Sequence, residues 1–194
     1  MNTKLLRTIA FPSVFLISTF ALAGCAVKAG SPNSDENPGN TSSSSSAAVY
    51  SESDVSFVQR LIIHRTEVFD MGTLAETRAL SSEVKDLAAK IKAEQSPEIA
   101  KMESWLKKTN IMPGMGPMGM NGMLSATEMK KLKNVSGSEF DRLYLEGMIG
   151  HYKSEVELAQ TVIDSSNADV LAMAKAIVAT QSPQINYMES LLTK

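Results

Sequence analysis

The chain repeats itself. Gln95-Ser96-Pro97-Glu98-Ile99-Ala100-Lys101-Met102-Glu103-Ser104-Trp105-Leu106 returns as Gln181-Ser182-Pro183-Gln184-Ile185-Asn186-Tyr187-Met188-Glu189-Ser190-Leu191-Leu192, with eight of twelve positions identical. Upstream of each copy, Phe57, Leu61, His64 and Met71 have the same mutual spacing as Tyr144, Met148, His151 and Leu158. Such self-similarity marks one supersecondary unit used twice, and the two histidines of the chain are equivalents within it.

Each copy reads as two helices. Phe57, Leu61, His64, Val68, Met71 and Ala75 step by four and three, which lays one stripe along a helix from about Asp54 to Ala79. Tyr144, Met148, His151, Glu155, Leu158 and Val162 repeat that stepping. The second helix of each copy carries Val84, Ala88, Ile91, Gln95, Glu98, Met102 and Trp105, or Val170, Ala174, Ile177, Gln181, Gln184, Met188 and Leu191. Ser81-Ser82 and Ser165-Ser166-Asn167 supply caps in short turns, so the helices of a copy must run antiparallel. Neither hairpin buries its apolar face alone. The economical solution is an all-α, up-and-down four-helix bundle of two repeated hairpins, at residues 53–108 and 136–194.

Pro97 and Pro183 fall inside helical patterns. Each predicts either a kink or, with Ser96 and Ser182 as caps, a restarted helix. Between the hairpins, at residues 109–135, Ser125-Ala126-Thr127-Glu128 and Ser136-Gly137-Ser138-Glu139 predict two capping boxes, one opening a short helix and one the third long helix.

His64, Gln95, Glu98, His151, Glu155, Gln181 and Gln184 occupy stripe positions that call for apolar residues. Buried polar groups need partners, so they are expected to converge in one layer and satisfy one another. Two roles fit such a layer. It can fix helix register as a hydrogen-bonded network, or it can hold a metal through the imidazoles, with Met71, Met102 and Met188 as soft ligands. A ferritin-like di-iron oxidase ranks last, because Glu-x-x-His pairs are absent and few carboxylates lie on the stripe.

The segment joining the copies places Met112, Met115, Met118, Met120 and Met123 among Gly, Pro and Asn only. No helical or strand period runs through it. Thioethers are neutral and favour Cu(I), so this loop is the stronger candidate for soft-metal binding; a linker packed loosely on the bundle end is the alternative.

Twelve Met, two His and one Cys in 194 residues exclude a disulfide framework, a multi-cysteine zinc site and a three-histidine zinc. A formal charge of -2 leaves no electrostatic footprint for nucleic acid. Neither a nucleophile elbow nor a phosphate loop is present, and no enzymatic activity is expected. The single cysteine has another use. Lys4 and Arg7 precede an apolar run from Ile9 to Ala23 that is too short for a membrane span, and Leu22-Ala23-Gly24-Cys25 looks like a bacterial lipobox.

Residues 1–24 then read as a signal peptide and Cys25 as the lipidated residue. Cleavage before Cys25 leaves 17 basic against 21 acidic residues, a net of -4, so the lipid and not a basic patch would hold the chain at a membrane. Residues 25–52, rich in Ser, Asn, Pro and Gly, read as a tether with a reach of about 25 to 30 Å. Ala26 and Val27 lack the acidic residue that resembles an inner-membrane retention signal. In a cell with two membranes, the expected place is the outer membrane, facing the periplasm. A homodimer stays open, and no protein partner is named by the sequence.

These residues resemble a known family, the bacterial ferritin-like proteins grouped as domain-of-unknown-function family 305. Its pattern is an aromatic residue, then Met-Ile-x-His-His and Ala-Ile-x-Met-Ala, then Gln-x-x-Glu-Ile-x-x-Met-x-x-Trp-Leu. Gln95, Glu98, Ile99, Met102, Trp105 and Leu106 match in the first copy; Met148, Ile149, His151, Ala159, Gln181, Ile185, Met188 and Leu192 match in the second. The resemblance runs from about Asp54 to Lys194 and implies a ferritin-like bundle in the cell envelope, with some members linked to copper. The His-His pairs have become His64-Arg65 and His151-Tyr152, and Glu98 has Gln184 as its counterpart.

Overall fold

A computed structural model describes residues 50–110 and 120–193. Cys25, the signal residues, the tether as far as residue 49, and Met112, Met115 and Met118 lie outside the described residues, whereas the last tether residues, Ser51 and Glu52, already cap and open the first helix. Five helices follow in order: α1 (Glu52–Arg78), α2 (Ser82–Lys108), α3 (Ala126–Asn134), α4 (Ser138–Gln160) and α5 (Ala168–Leu192). α1 packs along α2 and α4 along α5, the two hairpins meet through α1 and α4, and the short α3 rests on α4. The all-α bundle of two hairpins is therefore the architecture, and α1 and α4 form its central seam.

Local chemistry sets the ends. Ser51 and Asp54 close a capping box on α1, Ser81 accepts from the Val84 amide at the start of α2, and Asn167 accepts from Asp169 and Val170 at the start of α5. The box expected at Ser125 and Glu128 forms. The one expected at Ser136 and Glu139 does not. α4 starts instead at Gly137, with φ 74° and no side-chain cap, because the Gly137 N–H is drawn 2.9 Å to the carbonyl of Arg78. Glu139 turns away to Lys131, and Asp141 accepts from the Leu80 and Ser81 amides, so α4 caps the turn between α1 and α2.

α2 and α5 run unbroken through Pro97 and Pro183, so Ser96 and Ser182 do not cap restarted helices. Both prolines are exposed, as are Ala93 and Ala179 one turn earlier. Each carbonyl that loses its partner belongs to a solvent-facing residue, where water can replace the bond.

The apolar core divides in two. One cluster gathers Met71, Ile91, Phe140, Tyr144, Met148 and Met188; the other gathers Phe57, Leu61, Met102, Trp105, Leu158 and Ile177. In sequence, the buried polar residues His64, Arg65, Gln95, His151, Glu155 and Gln181 fall between the two sets, on all four long helices.

Candidate metal centre

The stepping that makes α1 and α4 amphipathic puts His64 and His151 on facing stripes, and both are fully buried. Their Nδ1 atoms stand 3.4 Å apart, with the rings perpendicular and their centroids 5.5 Å apart. Two metal–nitrogen bonds of about 2.0 to 2.1 Å allow nitrogens of a shared ion to lie up to about 4 Å apart. The pair is within that reach.

One carboxylate organises the pair. The Oε1 of Glu67, a turn beyond His64 on α1, accepts from His151 Nε2 at 3.1 Å and from the Leu124 amide at 2.8 Å. Burial opposes the charge of Glu67, but the bonds from His151 and Leu124 outweigh it and hold the carboxyl below its usual range. An ionised carboxylate only accepts, so the Glu67 contact calls for an N–H at His151 Nε2. The Nε2 of His64, on the far side of its ring, is buried with no hydrogen-bond partner. Burial, with His151 and Arg60 beside it, lowers the pKa of His64 to about 4. It is neutral over the physiological range.

The segment from Met120 to Leu124 lies beside this pair. Asn121 accepts from the Ser154 hydroxyl on α4 at 2.6 Å, and Gly122 adopts φ 81° so close to α4 that a Cβ there would lie 2.4 Å from the Cβ of Ser154. Met120 is buried and Met123 half-buried on this segment. A Cβ at Gly147 would meet the terminal methyl of Met71 at 2.8 Å, a contact that a shift of the methionine end relieves.

The expected single polar layer is two clusters. His64 and His151 join Glu67, while Glu155, fully buried on α4, takes Arg65 at 3.7 Å and the amide of Gln181. Burial raises the Glu155 pKa against the opposing pull of Arg65 and Gln181. Glu98 is a correction: its side chain is 54% exposed and reaches in only to pair with Arg65. α2 and α5 part at this level around a cleft of about 360 Å³ lined by Arg65, Gln95, Glu98, Met102, Gln181 and Gln184. Gln184 is half-buried on its wall, and the buried Gln95 has an Oε1 without a partner. Stripe positions there face the cleft instead of a packed neighbour.

Met71, Met102 and Met188 are all buried, but they do not gather as one ligand set. Met71 and Met188 belong to one apolar cluster and Met102 to the other. Among the described residues, no group of three or more His, Cys, Asp or Glu is arranged to hold a metal. Sequence reasoning missed Glu67 and Arg65. The i, i+3 spacing from His64 to Glu67 was the available signal, but it points along α1, whereas the contact crosses to α4.

The model of DUF305, a domain of unknown function, matches residues 54–192. Among solved structures the chain is similar to a DUF305 protein from Streptomyces coelicolor, at 27% identity and a TM-score of 0.68, covering 73% of this chain and 91% of that one. A DUF305 fragment from Deinococcus radiodurans gives 28% identity and a TM-score of 0.69, over 74% and 97%. CopM in its Cu(I)-bound form shares the fold at 24% identity and a TM-score of 0.63, over 72% and 95%. No curated protein matches.

Proposed function

This chain belongs to the DUF305 family, and from that premise we propose that it is a lipid-anchored envelope protein that binds Cu(I), to sequester or relay it without chemical turnover. The observation that carries the reading is the buried approach of His64 Nδ1 to His151 Nδ1 at 3.4 Å. Two neutral imidazoles braced by a carboxylate suit a soft cation that tolerates low coordination. His64 has an unpartnered Nε2, which can take the proton that Nδ1 must give up on ligation.

Met112, Met115, Met118, Met120 and Met123 supply the capture site in this reading. Their thioethers need no deprotonation and exchange ligands readily, which suits loading and transfer. CopM has been solved with Cu(I), Cu(II) and Ag, which supports metal handling on this fold. Cys25 anchors the chain by lipid, at the outer membrane where there is one; no described helix is long and apolar enough to cross a membrane.

Competition of the purified protein against a chromophoric Cu(I) chelator tests the reading. Wild type should withdraw Cu(I), replacing the five loop methionines by Leu should remove the larger part of the capacity, and His64→Ala the remainder. Wild type that leaves the chelator loaded would refute it. Equal capacity in the Leu variant would remove the loop and leave the imidazole pair to be judged by His64→Ala.

A further inference from the structure

Whether the His151 nitrogen that faces His64 carries a proton decides whether the pair can share a cation, and among the described residues no side chain of α4 hydrogen-bonds that ring to fix it. Glu67 does, from α1. Its Oε1 takes the Nε2–H of His151 at 3.1 Å, on the side of the ring away from His64. Were the proton on Nδ1 instead, Nε2 and the carboxylate would face each other as two acceptors.

The same oxygen accepts the Leu124 amide at 2.8 Å. Leu124 closes the segment that Gly122 and Asn121 seat against Ser154. One acceptor thus touches both the imidazole pair and the point where the methionine-bearing segment re-enters the fold. We propose that Glu67 is the positioning residue of this protein, holding His151 as its Nε2–H tautomer with Nδ1 turned to His64 and tying the Met120–Leu124 segment to that pair. Its consequence for metal rests on the Cu(I) reading, whereas the tautomer is a property of the metal-free protein. The two parts can fail separately.

The test is nitrogen-15 NMR of the histidine rings in the full-length, metal-free protein, as wild type, Glu67→Gln and Glu67→Ala. In wild type His151 should report a protonated Nε2 and a bare Nδ1. Glu67→Gln should keep that pattern, because its amide oxygen still accepts, and Glu67→Ala should move the proton partly or wholly to Nδ1. Exchange of the Leu124 amide should quicken in Glu67→Ala and stay slow in Glu67→Gln. A wild-type His151 protonated on Nδ1 would overturn the proposal whatever the variants do, as would an unchanged tautomer in folded Glu67→Ala. In a Cu(I) competition, loss of such an outer-shell partner is worth about 10- to 100-fold in affinity. Glu67→Ala that shifts its tautomer but binds Cu(I) like wild type supports the positioning role and takes the histidine pair out of the copper reading.

Discussion

His64 is neutral because its surroundings refuse the charge: burial comes first, then the neighbouring His151 ring and the Arg60 guanidinium, and its pKa falls to about 4 from an ordinary 6.5. The unfolded chain therefore takes up that proton before the folded one does. The stabilisation is whole above about pH 6.5 and drains away as the pH falls toward 4, by up to about 3 kcal/mol at 1.36 kcal/mol per unit. Urea midpoints of metal-free protein should drop between pH 7.5 and 4.5, and His64→Gln should flatten that slope. An unchanged slope would assign it to other groups. The Arg65–Glu155 contact gives a second expectation. Arg65→Met strands a fully buried carboxyl and should cost about 3 kcal/mol near neutral pH. Glu155 already has a raised pKa, so the deficit should shrink toward acid pH as it protonates; chemical denaturation of the variant at two pH values reads this.

Periodicity exposed what lies on the stripes and was blind to what lies beside them. His64 and His151 are fully buried as their phase predicts, yet Glu67 and Arg65, which decide what those stripes can do, sit off the four-three stepping and act across the bundle. Glu98 failed for a related reason: α2 and α5 are not pressed together at its level, so a core-facing phase opens on the cleft. The turns show the same limit. Ser125 and Glu128 formed their box, whereas the Arg78 carbonyl took Gly137 and Lys131 took Glu139. Two glycines test these contacts differently. Gly137→Ala meets open space and should cost only the strain of a backbone at φ 74° and ψ -149° that is essentially reserved for glycine, about 1 to 3 kcal/mol. Gly122→Ala meets Ser154 as well and should cost more, with faster exchange of the Leu124 amide if the segment lifts from α4. Equal melting temperatures for the two variants would show that the close approach at Gly122 adds nothing.

At the scale of the whole molecule, the repeat made the bundle legible and left location to a few residues before it. No described helix is long and apolar enough to cross a membrane, and a chain cut before Cys25 would carry 17 basic against 21 acidic residues. A net negative chain gains no attraction from anionic lipid, so membrane residence would depend on acylation of Cys25. A single substitution should then separate folding from location. Cys25→Ala should lose incorporation of labelled palmitate and move the protein from the membrane fraction to the soluble one. The bundle's melting temperature and Cu(I) capacity should be unchanged, because the five described helices begin only at Glu52. Retention of Cys25→Ala in the membrane fraction after a high-salt wash would transfer the anchoring role from the lipid to the protein surface.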